Sequence, residues 1–317
     1  MSNTLLISTL GNSILYIINL SAYLILIKYL QYEYNYNNFW YNTLLSIVLS
    51  PLYLIFCCRA SNINRIKNYG IAIIYPIIAG LIYTFESILL YYSVNNLNLS
   101  YYTILRSSFI IWNIPFFIFF LKKKSSNLYY LATILLILSY GVIIYYYLSI
   151  NYDLLKPTIS IIVSCLLNTC YNIIIEYSLK KYNIYNLDFH VIFQISYFIF
   201  AIIPSSKMTI EYPPPKNINV IFISLFISIC LQLYFYNKII ILENNNQFVP
   251  SNVLMAGLDL IRRFVLLLFA FFMYKDDFNV YVAISLILFS LSSIFIFMEY
   301  LKPFRKKIVE YTEMDEV

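Results

Sequence analysis

Val253–Lys275 reads VLMAGLDLIRRFVLLLFAFFMYK, an apolar run with Asp259, Arg262 and Arg263 at its centre. At 1.5 Å per residue, about 20 helical residues cross the roughly 30 Å of hydrocarbon in a bilayer, and this run has that length. A charged side chain at the centre of such a helix costs roughly 2.5–3.5 kcal/mol on insertion scales. It persists where it faces a protein interior or a watery cavity. Asp259 stands three and four residues before the two arginines, so a single helix face carries all three groups. One arginine is neutralised by Asp259, and the other needs a carboxylate from another helix.

A second run repeats the pattern. Leu99–Lys124 (LSYYTILRSSFIIWNIPFFIFFLKKK) places Arg106 about 10 Å in from its start, within snorkelling reach of one membrane surface. Around these two lie further apolar segments, for about ten spans in all: 5–27, 39–58, 70–94, 99–121, 128–149, 155–178, 188–204, 217–242, 249–273 and 278–300. The 317-residue chain is 61% hydrophobic and 11% charged, where a soluble domain is nearer a quarter charged. The long uninterrupted runs exclude the alternating pattern of a membrane β-barrel. The expected fold is therefore all-α, a polytopic membrane protein of about ten helices, each satisfying its own backbone hydrogen bonds in lipid.

Loop charges set an orientation. With the N-terminus in the cytosol, that side receives Arg59, Arg65, Lys67, Lys122, Lys123, Lys124, Lys180, Lys181, Lys302, Arg305, Lys306 and Lys307. The other side receives Lys28, Lys156, Lys207, Lys216 and Lys275. Both termini are expected in the cytosol. The net charge of +6 is thereby absorbed by topology, with no nucleic-acid partner implied. The start of the chain lacks the basic region of a cleavable signal peptide. Five cysteines (Cys57, Cys58, Cys165, Cys170 and Cys230) lie in or beside apolar segments without zinc spacing, and read as small buried hydrophobes. Pro51, Pro76 and Pro115 fall inside spans and are expected to kink them, while Pro213, Pro214 and Pro215 make a stiff loop.

The two halves look related. Tyr130–Tyr140 (YLATILLILSY) matches Tyr281–Leu291 (YVAISLILFSL), each following a span that ends in aromatics and lysine. If span four repeats as span nine, the repeat holds five helices, an odd number, and the halves insert in opposite orientation. Inverted repeats of this kind build secondary transporters, with the substrate site at mid-membrane between them. The expected units are 1–152 and 153–302, each a five-helix repeat, and a cytosolic tail over 303–317.

The candidate substrate-binding residues are Arg106, Asp259, Arg262, Arg263 and Glu86, the last midway along span three. Glu86 is a candidate partner for either Arg106 or the second arginine of span nine. Glu176 and Lys238, near the cytosolic ends of spans six and eight, are candidates for gating or coupling. His190 has no second histidine or cysteine nearby, so no metal is expected. Glycine-rich phosphate loops, His/Glu metal boxes and nucleophile elbows are missing, which argues against an enzyme and for no cofactor. The expected partners are a small-molecule substrate and the lipid bilayer, with a homodimer left open.

The segment Leu99–Lys124 resembles the fourth helix of the drug/metabolite transporter superfamily. The nucleotide-sugar-transporter and solute-carrier-family-35 branches carry there a Leu-Arg-Gly followed by an aliphatic run and a basic loop. Ser107 replaces the glycine, and Thr103 stands where some members have glutamine. Val253–Lys275 is similar to the ninth helix of that clade, with Leu258, Asp259 and Arg262 in place, Lys275 at the turn glycine and Asp276 after it. Tyr171–Ile184 (YNIIIEYSLKKYNI) looks like the end of the sixth helix in F-type members, which are akin to chloroquine-resistance-transporter-like proteins. The resemblance implies ten helices in a 5+5 inverted repeat, alternating access, and substrate contacts by Arg106, Asp259, Arg262 and Arg263.

Three functions compete. The first is transport of a small anionic metabolite such as a nucleotide sugar or phosphorylated compound, since arginine forks suit phosphate. The second is proton-coupled transport of cationic or zwitterionic solutes in an acidic organelle, through Glu86 or Asp259. The third is a non-transporting membrane scaffold. Tyr311-Thr312-Glu313-Met314 fits a tyrosine-based sorting signal and favours an endomembrane, Golgi or endosome/lysosome, over the plasma membrane. Asn98-Leu99-Ser100 is a glycosylation sequon in a loop too short to be modified readily.

Overall fold

The computed structural model describes residues 3–34, 66, 68–106, 108–109, 111–112, 115–116, 127–182, 184–205, 227, 231, 262–263, 265–276 and 278–314. Among the described residues the structure is helical and contains no strand. Seven α-helices are delimited: α1 (Asn3–Tyr34), α2 (Ile74–Asn96), α3 (Leu99–Arg106), α4 (Asn127–Ile150), α5 (Leu155–Tyr182), α6 (Asn186–Ser205) and α7 (Val280–Met314). Residues 265–272 form a further helical stretch. Three helical segments, Gly70–Asn96, Tyr130–Ile150 and Tyr152–Leu179, are long and apolar enough to cross a membrane. Ile14–Tyr29, Asp188–Ile202 and Val280–Ile296 are shorter apolar helices. The expected spans 39–58 and 217–242 lie outside the described residues, save for 227 and 231.

The helix ends follow from local chemistry. Gly70, at φ +53, opens a 3-10 turn through Ile73, and α2 begins at Ile74. Pro76 therefore sits in the first turn of α2, where its missing N–H has no intrahelical partner to lose. The kink expected there is replaced by a helix start. Leu97 ends α2 in an extended conformation, and α3 begins two residues later. Asn151 accepts a hydrogen bond from Asp153 N at 2.9 Å and caps the turn that leads into α5. The last helix, α7, runs on past the expected span end at 300 through to Met314.

Packing of α4 on α7 buries alanine and serine together with larger apolar residues on the inner stripes and leaves further aliphatic residues outside. On α4 the buried positions Ala132, Leu136, Ser139, Ile143 and Tyr147 follow helical spacing, as do Val282, Ser285, Phe289, Ser292 and Ile296 on α7. The two helices meet along these stripes. Ser139 and Ser285 bring their hydroxyls within 2.9 Å of each other and also bond each other's carbonyls. Ser292 Oγ donates to Ala132 O at 2.7 Å. Seven residues forward on α4 thus corresponds to seven back on α7, an antiparallel pair. The opposite faces expose Ile134, Ile137, Leu138, Ile284, Ile287 and Leu291. Polar stripes within and leucine or isoleucine without suit a lipid surrounding, where small and hydroxylated residues join helices.

On the other side of the molecule, α2 packs along α5 and α6. Gly80 marks the closest approach: a Cβ there would lie 2.7 Å from Ser196 Cβ and 2.9 Å from Tyr197 N. Tyr83 fills the adjoining space against Tyr171, Phe193 and Tyr197, with ring centroids 5.0–5.5 Å apart. The Tyr69 hydroxyl donates to Asp188 Oδ2 at 2.8 Å and accepts from Tyr185 N at 3.1 Å, tying the entry of α2 to the start of α6.

Candidate functional site: converging arginines around α3

The short helix α3 carries the site. Its N-terminal half is fixed to neighbouring elements: the Tyr101 hydroxyl lies 2.9 Å from Thr158 Oγ1 on α5, and its ring stacks on Tyr147 of α4 at 4.2 Å. Its C-terminal end presents Arg106 to α2 and α5. Arg106 Nη2 lies 2.6 Å from Glu86 Oε1, with Glu86 2% exposed and Arg106 16% exposed. Nη1 donates to Ser164 Oγ at 3.0 Å and points to Cys165 Sγ at 3.7 Å. Asn168, one turn further along α5, also hydrogen-bonds Glu86. Of the two partners open to Glu86 in sequence, the structure selects Arg106.

Two further guanidinium groups come to the same helix. Arg263 is buried at 2% exposure, with Nη1 3.4 Å from Thr103 O and its guanidinium carbon 5.2 Å from the centre of the Phe109 ring. That places it as a cation over an aromatic face. Arg262 is also buried, and both it and Arg106 act electrostatically on the Tyr102 hydroxyl, which is itself enclosed. Arg263 thus reaches the backbone of the turn that carries Arg106, and Arg262 lies near enough to bear on Tyr102 of the same turn. Asp259 and Lys238 lie outside the described residues.

Other expected members stand apart. Glu176 is half-buried on α5, eight residues beyond Asn168, or about 12 Å along the helix from the Glu86–Arg106 pair. The structure does not bring it to the Glu86–Arg106 pair. His190 is buried beside Phe189 and Phe193 on α6, with ring centroids about 6 Å apart. Among the described residues no cluster of His, Cys, Asp and Glu could hold a metal ion.

Sequence reasoning missed two features. Cys165, read as an inert small hydrophobe, donates to Arg106 O at 3.3 Å and receives the Arg106 guanidinium, so it belongs to the site. Lys28 and Asp276 form a second buried polar cluster. Lys28 is 1% exposed, donates to Leu97 O and faces Asp276. Asp276 Oδ2 accepts both Ser100 N and Ser100 Oγ at 2.8 Å, which places a carboxylate on the N-terminal turn of α3. Ser100 precedes Arg106 by six residues, so this lock lies about 9 Å along the helix from the arginines. The signal was present as an acidic residue beside a lysine in a turn. Loop lysines, however, had been read as topology alone.

Compared with known protein families and with curated proteins, the chain matches none.

Proposed function

We propose that the chain is a secondary transporter, working by alternating access, whose substrate is a small organic anion such as a nucleotide sugar or another phosphorylated metabolite. The observation that carries this reading is the convergence of Arg106, Arg262 and Arg263 on one turn of α3, in a setting flanked by apolar helices. Three guanidinium groups grouped at one turn offer an anion several positively charged donors in one place. Guanidinium forks bind phosphate and carboxylate oxygens through paired charge-assisted hydrogen bonds. Ionisable residues within membrane-spanning segments are rare and mark substrate or ion pathways and proton relays.

A ten-helix inverted repeat of the drug/metabolite transporter type is part of this proposal. Its support is the pairing of α4 and α7. The stretches that match in sequence, Tyr130–Tyr140 and Tyr281–Leu291, are the ones that pack antiparallel through Ser139 and Ser285. Two related units inserted in opposite senses meet in this way at a pseudo-two-fold axis. The Lys28–Asp276 lock would then close one side of the path, and endomembrane residence is proposed from the tyrosine-based sorting signal Tyr311-Thr312-Glu313-Met314.

The test is a thermal-shift screen of the purified full chain against nucleotide sugars, sugar phosphates and cationic drugs. A ligand that binds the folded state alone raises its melting temperature. Phosphorylated anions should raise it, and Arg263→Gln should remove the shift. A shift confined to the cations would overturn the proposal.

A further inference from the structure

Two polar atoms in the turn that follows Arg106 have no hydrogen-bond partner: Ser108 Oγ and Trp112 Nε1 are both enclosed and unsatisfied among the described residues. Several helical hydroxyls in this chain bond the carbonyl four residues back. Thr84 bonds Gly80 O, Ser93 bonds Leu89 O, Thr103 bonds Leu99 O and Ser196 bonds Ile192 O. Ser108, 4% exposed and in the turn after α3, makes no such bond. A buried donor left unmade costs about 1–3 kcal/mol. Two such donors one turn apart are therefore a marked expense in so short a segment.

Their placement is specific. Trp112 N bonds back to Ser108 O, so the two side chains share one face of the turn that follows α3. Between them in sequence is Phe109, whose ring carries the Arg263 guanidinium. Two residues before Ser108 is Arg106. The backbone tightens here as well, with Ser108 N bonding Leu105 O and Ile111 N bonding Ser108 O, both three residues back. Short 3-10 stretches within a helix are frequent where a chain is shaped for function.

We infer that Ser108 Oγ and Trp112 Nε1 are substrate-binding donors, which complete their hydrogen bonds on oxygen atoms of the anion held by the arginines. An indole N–H only donates, and a hydroxyl donates readily, so both require an acceptor. A phosphoryl or carboxylate oxygen is the acceptor class that the neighbouring guanidinium groups also select. This rests on the anion-transport reading and adds two specificity residues to it.

The chain has two tryptophans, so Trp40→Phe leaves Trp112 as the sole indole reporter, excited at about 295 nm away from the tyrosines. Titrating this full-length variant with UDP-glucose, and separately with pyrophosphate, should give a saturable change in Trp112 emission. Adding Ser108→Ala should raise the Kd roughly tenfold, the weight of a hydrogen bond to a charged group. Trp112→Phe, followed by ligand-induced thermal shift, should lose most of that shift. Without ligand Ser108→Ala should hold or raise the melting temperature, because it deletes an unsatisfied polar atom. A structural role would lower it instead, and a drop of several degrees in Ser108→Ala overturns the inference. Unchanged affinity in both variants also overturns it while leaving the anion reading in place. If neither probe binds the unsubstituted chain, both fall together.

Discussion

Glu86 and Arg106 meet at 2.6 Å although one lies midway along α2 and the other ends α3, twenty residues on. The pair joins α2 to α3, and Ser164, Cys165 and Asn168 bring α5 to the same point. Removing one partner from a buried pair strands the other charge, at a cost of about 3–5 kcal/mol. Glu86→Gln should therefore lower thermal stability clearly in detergent. The double substitution Glu86→Gln with Arg106→Met should recover much of the loss, because no charge is left unanswered. If the double variant is no more stable than the single one, the pair does not carry this coupling.

The contact of α2 with α6 at Gly80 allows a sharper contrast. Gly80→Ala forces a Cβ to 2.7 Å from Ser196 Cβ, against a helix whose backbone also lies close. Overpacking of this kind costs about 1–3 kcal/mol. Gly141, on the exposed face of α4, has nothing within 4 Å of such a Cβ. There Gly141→Ala should gain about 0.5–1 kcal/mol from the unfolded chain's lost freedom. Melting curves of the two variants should move in opposite directions.

Lys275 adopts φ +54 at the end of the helical stretch 265–272, where Asp276 N turns back to Ala270 O. The left-handed region costs a residue with a Cβ roughly 1–2 kcal/mol. Glycine is the usual occupant of such a helix end. Lys275→Gly should stabilise the protein by about 1 kcal/mol, read as a higher melting temperature. A neutral or lower value would show that the lysine side chain offsets the strain through its own contacts.

The fold was most legible where segments are long and uniformly apolar. The expected spans 70–94, 128–149, 155–178 and 188–204 fall on α2, α4, α5 and α6 within a few residues at either end. Pro76 misled because a proline inside an apolar run looks central until the preceding 3-10 turn is seen. At the site, Arg106, Arg263 and Glu86 announced themselves as charges at a depth where charge is costly. Cys165, Ser108 and Trp112 carry no such signal. Their roles arise from which helix lies opposite, and that is a property of packing rather than of any one segment. Lys28 and Asp276 were readable singly and became a pair only when the end of α1 met the turn at 273–276 near the start of α3.

Counterflow in proteoliposomes tests the anion carrier most directly. Vesicles loaded with unlabelled UDP-glucose should transiently accumulate labelled UDP-glucose from outside, and empty vesicles should not. Arg263→Gln, recovered folded and inserted, should reduce the initial rate at least tenfold, as expected when a charge-assisted contact of about 1.5–3 kcal/mol is lost. Equal accumulation by the wild type and by Arg263→Gln, or none by the wild type with any phosphorylated anion, would contradict the assignment of these arginines as the transport site.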